Sequence, residues 1–186
     1  AITTVARTGH RADYNLRFPT PYKAMFQGYT KSSGVDISWA YGVARRESAF
    51  KVDARSRVGA LGLMQLMPGT ARLQSKKMGL KKPLMSELIK PESNIKLGTA
   101  YLNQMLLRFD GSQAIASAAY NAGPSRVEKW IPDKKGMAID VWVDTVPYKE
   151  TREYVRAVMA YAAIFDWRLR ETITPLKVRM GKVMMQ

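Results

Sequence analysis

Between Pro91 and Gly111, Ile95, Gly98, Tyr101, Leu102, Met105, Leu106 and Phe109 recur at three- and four-residue spacing, which puts them on one face of an α-helix. A helix with one apolar stripe must bury it against other elements, so this segment commits the chain to packed helices. The same pattern recurs after Pro147, through about Trp167, with Val155, Val158, Ala162 and Phe165 on the stripe. Caps and breakers place the shorter helices. Pro21 opens one from Tyr22 to about Ser32, stopped by Gly34; Asp36 caps another over about 37 to 49; Pro68 opens a third that ends near Gly79. Ser112 caps a small-residue helix through Ala119, and Gly123-Pro124 breaks it before a turn at Arg126 to Trp130. Val141 to Val143 reads as helix because no partner strand is visible. Residues 51 to 66, with Gly59 and Gly62 and weak helical period, read as a turning excursion with a short hairpin. Asp133 to Gly136 is expected to be loop, and the basic tail from Thr172 to Met184-Met185 to pack loosely. The expectation is a mainly α fold: an arm or linker over residues 1 to 18, then one domain over 19 to 186.

Composition narrows the chemistry. At 186 residues, 46% hydrophobic and 24% charged, the chain is globular. Histidine occurs once, as His10, and cysteine not at all. A His-based triad, a multi-His metal site, a thiolate nucleophile and disulfides are thereby set aside, and no metal or cofactor is expected. Carboxylates, hydroxyls and amides remain. The longest apolar run, Val158 to Phe165, falls short of the roughly 18 to 20 residues that cross a bilayer, so no transmembrane segment is expected. The first residues, Ala1 to Ala6, lack a basic region followed by an apolar core, so any signal peptide was removed or was never on this chain. The net charge of +15 calls for a polyanion: nucleic acid, acidic lipid or a carboxylate-rich wall polymer. The basic pairs Arg45-Arg46, Lys76-Lys77, Lys81-Lys82 and Lys134-Lys135 are scattered, and no nucleic-acid-binding motif accompanies them.

Glu47 is an acid where the pattern calls for an apolar residue. Ala44, Val43 and Ala40 lie three, four and seven positions before it, so it falls on the buried stripe of its helix. Burial disfavours the charged form and raises the pKa, which suits a general acid. Four segments accompany it along the chain. Ser48 follows directly and Ser56 comes nine residues on; Gln65 sits in Gly62-Leu63-Met64-Gln65 ahead of Met67-Pro68; Tyr120 and Asn121 end a helix in Ala119-Tyr120-Asn121-Ala122-Gly123; and Glu150 and Tyr154 stand one turn apart in Glu150-Thr151-Arg152-Glu153-Tyr154-Val155.

In this order and at these intervals, the four segments resemble the catalytic domain of the soluble lytic transglycosylases of Gram-negative bacteria, over roughly residues 19 to 170. The resemblance implies a goose-type, lysozyme-like helical domain of the glycoside hydrolase family 23 type, with the excursion lining its cleft. It implies a periplasmic enzyme that cleaves the β-1,4 bond between N-acetylmuramic acid and N-acetylglucosamine in peptidoglycan, leaving a 1,6-anhydro end. Glu47 would act as acid and then as base. Ser56, Gln65, Met67, Tyr120, Asn121, Glu150 and Tyr154 would bind substrate, with Tyr120 directing its hydroxyl toward Glu47. Partners would be glycan strands, their peptide stems and other cell-wall enzymes, and not nucleic acid. One departure is Leu61, where the family commonly has a smaller residue, so the groove there is expected to be narrower or its loop shifted. Ordinary glycosidases use two carboxylates about 5 to 5.5 Å or about 6.5 to 9.5 Å apart. Glu47 is the one acid of the matched core on a buried stripe, and Asp53 falls in a turn-like stretch. A hydrolytic muramidase and a catalytically silent wall-binding module are the alternatives.

Overall fold

The computed structural model describes residues 13–132, 136–170 and 172–180. His10, residues 133–135 of the expected loop and the Met184-Met185 end lie outside the described residues. The elements are α1 (Tyr14–Arg17), α2 (Lys23–Ser33), α3 (Ile37–Ser48), α4 (Pro68–Lys77), α5 (Pro91–Arg108), α6 (Gln113–Ala122), α7 (Pro124–Glu128), α8 (Ile139–Thr145), α9 (Lys149–Arg170) and α10 (Leu176–Met180). No strand occurs among the described residues; the fold is mainly α, as the periodicity requires. None of these helices is long and apolar enough to cross a membrane.

The centre is α3 packed on α9. Asp36 caps α3, its carboxylate accepting the Trp39 N–H at 2.8 Å, and every residue from Ser38 to Ala44 is buried. At Gly42 a Cβ would stand 2.9 Å from the Val158 carbonyl oxygen. Only glycine lets the two backbones approach this closely. Around the pair, Phe26 stacks on Tyr41 with ring centroids 4.3 Å apart, and the Trp39 indole donates to Ser117 Oγ at 2.9 Å on α6. That helix, buried from Ala114 to Ala119, runs through Ala122 before Gly123 ends it.

A second, smaller apolar cluster holds the excursion. Leu61, Leu66, Ala71, Leu88 and Leu97 form it, and Tyr101 and Tyr120 pack against both clusters. The expected hairpin is reduced to single bridges, Arg55 to Leu61 and Leu61 to Leu66. Positive φ angles at Gly59, Gly62 and Gln65 turn the chain every few residues, so no ladder can extend.

Three further differences separate the structure from the expectation. The second helix begins at Lys23, after a left-handed Tyr22, and the last long helix begins at Lys149, two residues past Pro147. The described part of the tail is anchored at one residue: Arg179 of α10 is buried and bonds Asp166, Asp36 at 3.2 Å and Gln113 at 2.7 Å, while residues 172, 173 and 175 to 178 are exposed. In the expected arm, the described end packs on α9 through Tyr14 against Trp167 and Phe18 against Phe165.

Candidate active site

Glu47 is the penultimate residue of α3. Its residue surface is partly accessible, as a group that must reach a ligand requires. Tyr154 of α9 donates its hydroxyl to Glu47 Oε1 at 2.6 Å. Burial pushes the Glu47 carboxyl up to about 7, Glu150 adds to the rise, and the Tyr154 hydrogen bond and nearby Arg46 oppose it. Near neutral pH this carboxyl therefore exists in both protonation states, which acid–base catalysis needs. Burial and the charge of Glu47 push the Tyr154 hydroxyl well above its ordinary value, so it remains a donor.

Tyr120 does not hold Glu47. Its hydroxyl donates to the Met64 carbonyl at 2.8 Å and fixes the excursion. Tyr154 makes the hydrogen bond to Glu47 expected of Tyr120, because α9 rather than α6 presents its phenol to the end of α3.

A cavity of about 460 Å³ opens at the carboxyl, and Ser56 and Gln65 line it together with Glu47. Ser56 Oγ accepts the Ala60 N–H at 2.9 Å. The Gln65 side-chain nitrogen donates to the carbonyls of Ala54 and Gly62 at 3.1 and 2.9 Å. Gln65 itself sits at φ 46°, and Ala49 and Phe50, directly after α3, at 51° and 64°. Left-handed residues other than glycine cost about 1–3 kcal/mol each and gather at functional sites.

The remaining expected residues lie outside this cavity's lining. Met67 precedes α4 and is 42% exposed. Asn121 accepts from the Thr151 hydroxyl at 2.8 Å and ties α6 to α9. Glu150, exposed in the first turn of α9, reaches Glu47 only through its charge.

Several residues that shape the site carry no role in the sequence reading. Ser48 donates to the Leu63 carbonyl at 2.7 Å. Asn94, fully buried, donates to the carbonyls of Leu61 and Leu88 at 2.9 and 2.7 Å and accepts the Met64 N–H at 2.7 Å. The signal that finds Glu47 would have found Asn94, an amide beside Ile95 and four before Gly98 on a buried face. Arg45, Arg46, Arg55 and Tyr161 complete the lining together with Ser48, Ala49 and Ala54.

A helical domain with a proton-carrying carboxyl at the foot of an open cleft defines the lysozyme-like class. The chain belongs to the transglycosylase SLT domain family, whose pattern matches residues 24–143; residues 145–172 match the soluble lytic transglycosylase helical domain. It is 42% identical over 155 residues to the soluble lytic murein transglycosylase of Escherichia coli K12, covering 81% of this chain and 24% of that protein. The fold superposes on an inactive mutant of the lytic transglycosylase Slt from Pseudomonas aeruginosa with TM-score 0.90 at 44% identity, over 95% of this chain and 28% of the other. It superposes on the 70 kDa soluble lytic transglycosylase of Escherichia coli with TM-score 0.86 at 33% identity, over 97% and 29%. The chain spans about a quarter of the length of the curated relatives it matches.

Proposed function

We propose that this domain is a peptidoglycan lytic transglycosylase, with residues 19–186 as its catalytic unit and residues 1–18 as a connecting arm. The observation that carries the reading is a cleft whose lining holds one acid, Glu47, already poised near neutrality. Asp53 is exposed beside Lys51 at 4.0 Å and does not line the cleft. A two-carboxylate glycosidase needs a second group to attack the sugar or to activate water. With one acid, the substrate must supply the nucleophile. Protonated Glu47 gives its proton to the glycosidic oxygen between N-acetylmuramic acid and N-acetylglucosamine. The carboxylate so formed takes the proton of the muramic C6 hydroxyl, which closes on C1 as a 1,6-anhydro ring, while the N-acetyl group supports the electron-poor centre. Ser56 and Gln65, already turned to the same cavity, hold the sugar. Met67, Tyr120, Asn121 and Glu150 flank the strand or its peptide stem, and Tyr154 orients Glu47. The names of the relatives support a murein substrate, met in the periplasm, where other cell-wall enzymes would be partners.

The test is the mass of the products. Purified peptidoglycan digested with the 186-residue chain is expected to release fragments with anhydro ends, lighter by one water than hydrolytic ones. Hydrated reducing ends would identify a muramidase instead, and protein that pellets with intact sacculi without cutting them would identify a binding module.

A further inference from the structure

The cleft carries more positive charge than a proton shuttle needs. Arg45, Arg46 and Arg55 line the same cavity as Glu47. Four arginines elsewhere have a carboxylate partner: Arg108 with Glu128 at 2.7 Å, Arg170 with Asp36 at 2.9 Å, Arg156 with Asp144 and Arg179 with Asp166. Among the described residues, no carboxylate stands within ion-pair distance of the three in the cleft. The nearby Asp53 faces Lys51 instead.

The three are held differently. Arg45 is braced, its Nε donating to the Arg17 carbonyl at 3.2 Å and its guanidinium lying over the rings of Tyr161 and Phe18 at 5.3 and 5.6 Å. Arg46 lies over the Tyr154 ring at 5.8 Å. Arg55 is exposed, and its backbone is set by the bridge to Leu61. Crowding like charges at one concave surface is unfavourable unless an anion joins them. The guanidinium fork fits a carboxylate through two parallel hydrogen bonds.

We propose that Arg55, backed by Arg46 and Arg45, forms a carboxylate-binding subsite beside Glu47, which recognises an acidic group carried by the glycan strand. The proposal rests on the transglycosylase reading for the nature of the strand. Two sources share the chemistry: a carboxylate of the peptide stem, or the lactyl carboxylate that muramic acid exposes once its stem is gone.

Binding and cutting are measured separately. In a Glu47→Gln background, which preserves the strand, affinity is compared with and without Arg55→Gln for three soluble ligands: stem-bearing strands, stem-free strands, and stem-bearing strands with their carboxyls amidated. Arg55→Gln is expected to weaken the strands that carry the recognised carboxylate about fivefold, the scale of a partly exposed ion pair with hydrogen bonds. Arg55→Lys should recover part of the loss, and amidated strands should bind both proteins alike. A defect confined to stem-bearing strands assigns the stem, one confined to stem-free strands assigns the lactyl group, and one on both shows that the subsite takes either carboxylate. Equal affinity of both proteins for stem-bearing and for stem-free strands, or a defect that persists on amidated ones, overturns the subsite. The native protein's anhydro products report on the transglycosylase reading independently.

Discussion

Glu47 is held by opposing forces: burial raises its proton affinity and the Tyr154 hydroxyl, at 2.6 Å, restrains the rise. Glu47→Gln keeps the shape and removes the proton, and should lower turnover by about 10²–10⁴-fold, the usual share of acid–base catalysis. The same substitution should stabilise the fold at alkaline pH. A carboxyl at about 7 in the fold, above its ordinary value of 4.5, binds its proton more tightly folded than unfolded. Its cost is absent below about pH 4.5 and grows up to about pH 7, reaching at most about 3 kcal/mol beyond it. Thermal unfolding should therefore show the native protein losing stability relative to Glu47→Gln between pH 5 and 7.5; parallel curves would place the carboxyl in bulk solvent. Tyr154→Phe removes a bond that favours the charged form. The alkaline limb of kcat/KM, which reports loss of the acid, should move to higher pH while the plateau falls. Glu47 was legible because an acid on an apolar stripe is a local contradiction. Which phenol would reach it was not: Tyr120 and Tyr154 both sit on helices packed on the core, and only the docking of α9 on α3 separates them.

The helices were readable to within a few residues because their periodicity, caps and breakers are local. The excursion from 51 to 66 was readable only as an interruption. Its order comes from partners far along the chain, Ser48 on the Leu63 carbonyl and Asn94 on Leu61 and Met64, and no short-range pattern encodes such bonds. Asn94 is accordingly the residue on which the loop's geometry turns. Asn94→Ala strands the Met64 N–H and the Leu88 carbonyl, while the Leu61 carbonyl keeps the Leu66 N–H, and should cost about 3 kcal/mol in urea unfolding. It should also lower kcat on glycan strands, because Gln65 follows Met64 directly. Asn94→Asp, which retains the acceptor for Met64 but loses both donated bonds, tests whether the loop or the buried amide itself matters. Full activity with Asn94→Ala would show that the cleft keeps its form without this tie.

At the scale of the whole molecule, the described parts that precede and follow the central bundle both close onto α9. Phe18 enters the core with its carbonyl accepting from Arg168 at 3.3 Å, and α10 inserts Arg179 between Asp166 of α9 and Asp36, the cap of the helix bearing Glu47. The anchor in the described part of the tail was not legible, because a basic, weakly periodic segment looks solvated until the buried Arg179 is matched to acids more than a hundred residues and thirteen residues away. Burial alone would raise the Asp166 carboxyl. Hydrogen bonds from Arg179 and the Thr174 N–H outweigh it and hold the group below the usual range. A carboxyl depressed in the fold contributes stability that is present above its ordinary value of 3.8 and is lost as pH falls through the folded value. Arg179→Met keeps the bulk of the side chain and deletes the charge, leaving Asp166 buried with its main partner gone. The expected penalty is about 3–5 kcal/mol at pH 7, the cost of stranding one half of a buried pair. Deprived of Arg179, Asp166 relieves its burial by taking a proton, so the penalty should shrink as the measurement moves to pH 4. Asp166→Asn combined with Arg179→Met should recover much of the loss, since neither charge then remains. A penalty that is equal at pH 7 and pH 4, or one left untouched by the second substitution, would mean that α10 is held by its apolar contacts and that the ion cluster is incidental to how the chain closes.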